Sequence, residues 1–143
     1  MSHTCKNLLI RCMDFRLNNA IDEWVDKSGL FEGGHDVISL AGSSKVLADG
    51  SEELKNNLLS NVAVSTELHQ AEKVIICHHS DCGAYAQSYR FNSPSEEKEK
   101  QIEDMKKSQS AILKKYPNIK IVLVWAELKD CHGKKIDFEI LKN

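Results

Sequence analysis

Five side chains in two short strings carry most of the chemistry in this 143-residue sequence. Cys12-Met13-Asp14-Phe15-Arg16 offers a thiol, a carboxylate and a guanidinium at alternate positions. His79-Ser80-Asp81-Cys82 offers an imidazole and a thiol three residues apart. Cys12, His79 and Cys82 together form a thiolate–imidazole–thiolate set. That borderline-soft set suits Zn²⁺ and leaves one of four tetrahedral positions open. The His-x-x-Cys turn can present both donors to one ion because the intervening pair lets the chain bend around it. Three protein ligands with an open fourth position is the pattern of a catalytic zinc, whose bound water loses a proton easily. Asp14 alternates back to the side of Cys12 on an extended chain, and Arg16 can hold it by a charge-assisted fork. Held that way, the carboxylate would orient the water. Released from Arg16, it could ligate the metal and close the site.

Read singly, each of these residues has an ordinary alternative. Cys12 and Cys82 could be small buried hydrophobes. Asp14 and Arg16 could be a surface ion pair worth little. His79 could be a core histidine, a role that suits its neighbour His78 better. Asp81 is expected to cap the helix that begins near Gly83. His3-Thr4-Cys5 and Cys131-His132 resemble ligand pairs but are expected to be exposed residues without a ligand role.

The elements that must position the two strings follow from hydrophobic periodicity. Short apolar runs alternate with amphipathic stretches, which predicts an α/β fold with a mostly parallel sheet. Leu8-Leu9-Ile10 leading to Cys12 reads as a buried strand, and residues 19–28 as a helix with Ala20, Ile21, Trp24 and Val25 inward, stopped by Gly29. Residues 36–40 read as a second strand. A long helix is predicted over about 51–70, capped by Ser51, with Leu54, Leu58, Val62 and Leu68 as its apolar face. The run Lys73-Val74-Ile75-Ile76-Cys77-His78 is the clearest strand. Residues 95–116 predict a charge-rich helix bracketed by Pro94 and Pro117, with Glu96/Lys100 and Glu103/Lys107 at i,i+4. Its buried stripe would be Ile102, Met105, Ile112, Leu113 and Tyr116, and its charge run a solvated face. Residues 119–125 and 136–141 read as two more strands, the last an exposed antiparallel edge with Asp137 and Glu139 outward. With strand order 2-1-3-4, both chemical strings end in one crevice at the topological switch point. No repeat or linker divides residues 1–143, so a single domain is expected.

Composition narrows the classes further. The chain is 41% apolar, 28% charged and 6% aromatic, which excludes disordered and low-complexity proteins. A formal charge of −2 and a pI near 6.3 give no electrostatic reason to expect nucleic acid or an anionic membrane as partner. No run approaches the roughly 18 apolar residues of a membrane span, and Leu8-Leu9-Ile10 is too short for a signal peptide. A cytoplasmic protein is therefore expected. Five cysteines, an odd number in such a chain, argue against a disulfide framework. Cys5, Cys77 and Cys131 read as packing or surface thiols.

The paired strings, in this order, resemble the β-class carbonic anhydrases. The local sequences Cys12-Met13-Asp14-Phe15-Arg16-Leu17 and His78-His79-Ser80-Asp81-Cys82-Gly83 are most similar to the compact prokaryotic branch, where Cys-Met-Asp-x-Arg-Leu and His-His-x-Asp-Cys-Gly are typical. The resemblance extends to Ala41-Gly42 and to the segment from Val124-Trp125 through Gly133 to Ile136; residues 86–115 carry it least. It implies one Zn²⁺ per chain on Cys12, His79 and Cys82, with Asp14–Arg16 as the water-orienting dyad. The implied activity is reversible hydration of CO₂ to bicarbonate by a zinc-bound hydroxide. It also implies a homodimer or larger assembly, and a small apolar CO₂ pocket to which Phe15, Gly42 and Gly83 would contribute.

The sequence departs from the family pattern in three places. Ser39-Leu40-Ala41-Gly42 stands where Arg-Asn-Ala-Gly is usual. Phe15 occupies a position usually held by a small residue, where its ring would narrow the pocket. Strand one begins close to Met1, which leaves little of the helical arm that wraps the partner subunit. Phe15 and Ser39-Leu40 would favour a related zinc hydrolase acting on another small linear molecule, carbon disulfide or carbonyl sulfide. Permanent ligation by Asp14 would favour a non-catalytic zinc protein.

Overall fold

A computed structural model describes residues 2–142. Strand β1 (Asn7–Cys12) leads through a 3₁₀ turn (Phe15–Leu17) into α1 (Asn18–Ser28) and back to β2 (His35–Leu40). Helices α2 (Lys45–Asp49) and α3 (Glu52–Ala63) and a π-helical turn (Val64–Leu68) then lead to β3 (Lys73–His79). The short α4 (Gly83–Ser88), the long α5 (Pro94–Lys115), β4 (Lys120–Leu128) and β5 (Ile136–Ile140) complete the described residues. The sheet order is β2-β1-β3-β4-β5. The first four strands are parallel and β5 is antiparallel to β4. This is the predicted mostly parallel α/β sheet, antiparallel edge included.

Apolar residues fill both faces of the central strands, as expected where helices cover a parallel sheet on each side. Leu8 and Ile10 of β1 and Val74 and Ile76 of β3 point to one core, with Leu58, Val62, Met105 and Ile112 from the helices. Leu9, Ile75 and Cys77 point to the other, with Leu17, Ile21 and Tyr85. Among the described residues no helix is long and apolar enough to cross a membrane.

Four expectations are corrected. The helix predicted over 51–70 is α-helical only to Ala63; the π turn that follows turns Ser65 inward and leaves Leu68 67% exposed. Leu54 is also exposed, so Leu58 and Val62 form the buried inner face, with Leu59 half-buried against the same core. In α5 the buried stripe is more polar than predicted: Gln101, Asp104 and Ser108 lie inside with Met105 and Ile112, while Ile102, Leu113 and Tyr116 are half-buried. Lys100 pairs with Asp104 at 3.0 Å, and Glu96 instead accepts from the backbone N–H of Asn92. Helix α2, only five residues long, gave no periodic signal.

Candidate metal centre

Chain direction sets the site. From β1 the chain moves to β2 on one side, while β3 lies on the other, so the C-terminal ends of β1 and β3 open at the switch point. Cys12 is the last residue of β1 and His79 the last of β3. Asp81, in left-handed backbone (φ 56°), turns the chain so that Cys82 heads α4. One donor atom each from Cys12, His79 and Cys82 then lies within 4.8 Å of the others. All three residues are buried, at 4%, 1% and 2% exposure.

The chemistry of the cluster fits a zinc ion. His79 Nδ1 donates to the backbone carbonyl of Ser80 at 2.7 Å, which fixes the tautomer and leaves Nε2 as a bare acceptor. That Nε2 is buried without a hydrogen-bond partner. A buried acceptor facing two thiols is the arrangement a metal would complete. The two cysteines are free. Hydrogen bonding from the Cys82 thiol pulls Cys12 well below the ordinary thiol range, against the opposing effect of burial and with further help from His79. Cys82 in turn is pushed up by Cys12 and by burial. One thiolate is thus stabilised even without metal.

Asp14 sits on Arg16. Its carboxylate accepts from the Arg16 backbone N–H at 2.9 Å, from Nε at 3.1 Å and from Nη2 at 2.7 Å. The Arg16 hydrogen bonds hold the Asp14 carboxyl below the usual carboxylate range, against a burial penalty. Asp14 Oδ2 nevertheless stands 3.8 Å from His79 Nε2. Arg16 is clamped from its far side: Nη1 donates to Asp81 Oδ2 at 3.0 Å, and Nη2 to the Asp81 carbonyl at 2.9 Å. The expectation that Asp81 caps α4 is therefore corrected. Cys82 is the N-cap residue and no side-chain cap bond forms; the Asp81 carboxylate goes to Arg16.

The crevice above the cluster is a cavity of about 700 Å³ lined by Met13, Phe15, Ala41, Gly42, Gly83 and Ala84 among others. Phe15 stands at its rim, 78% exposed. Gly42 has φ +80°, and a Cβ there would come within 3.0 Å of Lys45 Cβ and 3.2 Å of Ala84 Cβ. Ser39 and Leu40 end β2 on its exposed side, with Leu40 36% exposed.

Several supporting residues lie outside the predicted site. Glu97, inside the charge run that predicts a solvated face, accepts from the backbone N–H groups of Asp81 at 3.1 Å and Cys82 at 3.0 Å. Gln101 Nε2 donates both to Glu97 at 2.9 Å and to the His79 carbonyl at 2.9 Å. His78 is a core residue, as its position suggested. Its Nδ1 meets Gln101 Oε1 at 3.0 Å and its Nε2 the hydroxyl of Ser44 at 2.8 Å. Burial pushes its pKa down to about 4, so the ring is neutral. The available signal was polar: Gln101, Asp104 and Ser108 fall at helical spacing with Met105 and Ile112. Cys77 is buried, Cys131 exposed at the cavity rim, and Cys5 half-buried.

The sheet and its crevice define a β-carbonic anhydrase fold. A β-carbonic anhydrase of Trichomonas vaginalis matches with a TM-score of 0.58 over 97% of this chain and 84% of its own, at 19% identity. A carbonic anhydrase from Glaciozyma antarctica matches with a TM-score of 0.56 over 96% and 83%, at 20% identity. Residues 2–136 match the family described as "Putative carbonic anhydrase", and the chain belongs to that family. An uncharacterized protein of Rickettsia bellii is 30% identical over 118 residues, 80% of this chain and 71% of the relative.

Proposed function

We propose that this chain is a zinc-dependent carbonic anhydrase that interconverts CO₂ and bicarbonate, with Cys12, His79 and Cys82 holding the metal. The observation that carries the reading is the position of Asp14: saturated by Arg16 on one side, with Oδ2 3.8 Å from the unpartnered His79 Nε2 on the other. Such a carboxylate is kept off the metal, so a fourth position stays available, which speaks against a purely structural zinc. Zinc, when bound, supplies the acidity that makes water a nucleophile near neutral pH.

The protein supplies the rest. An ionised carboxylate only accepts hydrogen bonds. Asp14 therefore selects an O–H in the crevice and orients its oxygen lone pair toward a substrate carbon. Arg16 keeps Asp14 ionised and immobile, and Asp81 keeps Arg16 in place. Met13, Phe15, Ala41 and Ala84 give CO₂ an apolar resting place beside that oxygen, since a linear uncharged molecule loses little on leaving water. Self-assembly belongs to the same reading. The outer strand β2 ends at Leu40, 36% exposed, whose carbonyl accepts from the Met13 N–H, with Met13 62% and Phe15 78% exposed. That apolar strip at the sheet edge and crevice rim suits a second copy of the chain.

Stopped-flow CO₂ hydration tests the proposal. The zinc-loaded wild type is expected to be active, and Asp14→Asn and Arg16→Ala each to lose about 100-fold or more while keeping their zinc. A zinc-loaded wild type inactive on CO₂ from mildly acidic to alkaline pH would reject it, and turnover of carbonyl sulfide instead would identify the related hydrolase.

A further inference from the structure

A second cluster of metal-ligating side chains lies at the opposite end of the sheet, where β1, β2 and β3 begin. Cys5 precedes β1, Asp36 is the second residue of β2, and His69 follows the π turn that leads to β3. One donor atom from each lies within 4.8 Å of the others. Cys5 Sγ is 3.4 Å from Asp36 Oδ2, and His69 Nδ1 is 2.7 Å from the same oxygen. All three residues are half-buried. His3, on the N-terminal segment, reaches the other ring nitrogen of His69: the two Nε2 atoms are 3.1 Å apart.

We infer that Cys5, Asp36 and His69 form a second site for a divalent first-row transition metal of the zinc type, with His3 orienting the His69 ring from behind. Two observations support it. The donors are sulfur, carboxylate oxygen and imidazole nitrogen, all zinc ligands, with one atom of each within 4.8 Å of the others. Their charges balance it, since one thiolate and one carboxylate neutralise a dication. The backbone also holds the site before metal arrives. The Cys5 N–H donates to the His69 carbonyl at 3.0 Å, and the His69 N–H to the Val64 carbonyl at 3.1 Å.

The proton balance is definite. As the sulfur–metal bond forms, the Cys5 thiol proton passes to solvent. The His69 proton moves from Nδ1, which takes the metal, to Nε2, which then donates to His3 Nε2, while the proton His3 carried there shifts through solvent to its Nδ1. A ligating histidine whose second N–H is held in this way is the usual outer-shell arrangement. The metal would tie the N-terminal segment to the β2 and β3 ends of the sheet, on the edge remote from the crevice.

Zinc titration of the metal-free full chain, with cobalt as the coloured probe, tests this independently of the central site. Two equivalents per chain are expected for the wild type. Cys5→Ser and Asp36→Asn should each take up one, retained with unchanged affinity. Cys12→Ser should also keep one, with a cobalt spectrum showing a single thiolate ligand. Uptake by wild type that Cys5→Ser and Asp36→Asn leave unchanged would overturn the inference and leave the proposed enzyme untouched. Retention of only the Cys5-dependent equivalent in wild type would support the second site and reject the first. Circular dichroism on each variant separates lost binding from lost folding.

Discussion

Removing the Glu97 carboxylate is expected to damage both folding and the metal centre, although the residue lies in a highly charged helix. Its two oxygens take three donors: the Asp81 and Cys82 backbone N–H groups at 3.1 and 3.0 Å and Gln101 Nε2 at 2.9 Å. Asp81 is exposed, so its N–H can turn to water, whereas Cys82 and Gln101 are 2% and 1% exposed and cannot. Two stranded buried donors at about 1.5 kcal/mol each make Glu97→Ala destabilising by about 3 kcal/mol. For a chain of this size that lowers the melting temperature by roughly 10 °C. Because Glu97 fixes the turn between His79 and Cys82, zinc affinity should also fall about 10–100-fold, as for loss of an outer-shell partner. Calorimetry and a competition titration with a chelating dye give both numbers. Glu99→Ala, an exposed neighbour on the same helix, is the control and should shift stability by less than about 0.5 kcal/mol. A Glu97→Ala protein that melts and binds zinc like wild type would refute the assignment of Glu97 as the support of this turn.

Other perturbations follow from the same geometry. Gly42→Ala places a Cβ in left-handed backbone and against Lys45 and Ala84; a loss of about 1–2 kcal/mol is expected in urea unfolding at constant slope. Asp130 accepts the backbone N–H groups of His132, Lys134 and Lys135. Those bonds, led by Lys134, lower its pKa. A depressed carboxylate favours the ordered loop above its ordinary pKa of about 3.9 and loses that contribution as pH falls through the lowered value. Amide NMR shifts of residues 132–135 should therefore titrate with a midpoint below that of a free aspartate, and Asp130→Asn should abolish the titration. Burial pushes the Cys77 thiol up to about 12, so in the folded protein a thiol reagent should modify the exposed Cys131 and leave Cys77 intact.

The parts of this fold that were legible in the sequence are those with a strong local pattern. Parallel strands buried on both faces read as continuous apolar runs, which made Leu8–Ile10 and Lys73–His78 plain. Gly29, at φ +73°, ended α1 where its lack of a Cβ predicted. The two strings at the ends of β1 and β3 converge because the switch point brings them together, and their spacing alone suggested one donor set. What escaped depends on long-range pairing. Nothing local says that Asp81 leaves α4 uncapped to hold Arg16, or that Glu97 and Gln101 turn inward from a charged helix to hold the His79–Cys82 turn. The π turn after Ala63 rotated the face of a helix whose apolar spacing had looked continuous. His3 is exposed as expected, but Cys5 is half-buried against Asp36, a neighbour in space more than thirty residues away in the chain.

An open three-ligand zinc centre with Asp14 held away from the metal is what the proposed activity requires. Anomalous diffraction at the zinc edge from crystals of the zinc-loaded protein tests it most directly. The expected result is a peak bonded to Cys12 Sγ, His79 Nε2 and Cys82 Sγ, with the Asp14 carboxylate still paired to Arg16. A peak with Asp14 as the fourth ligand, or none between these three residues, would contradict it.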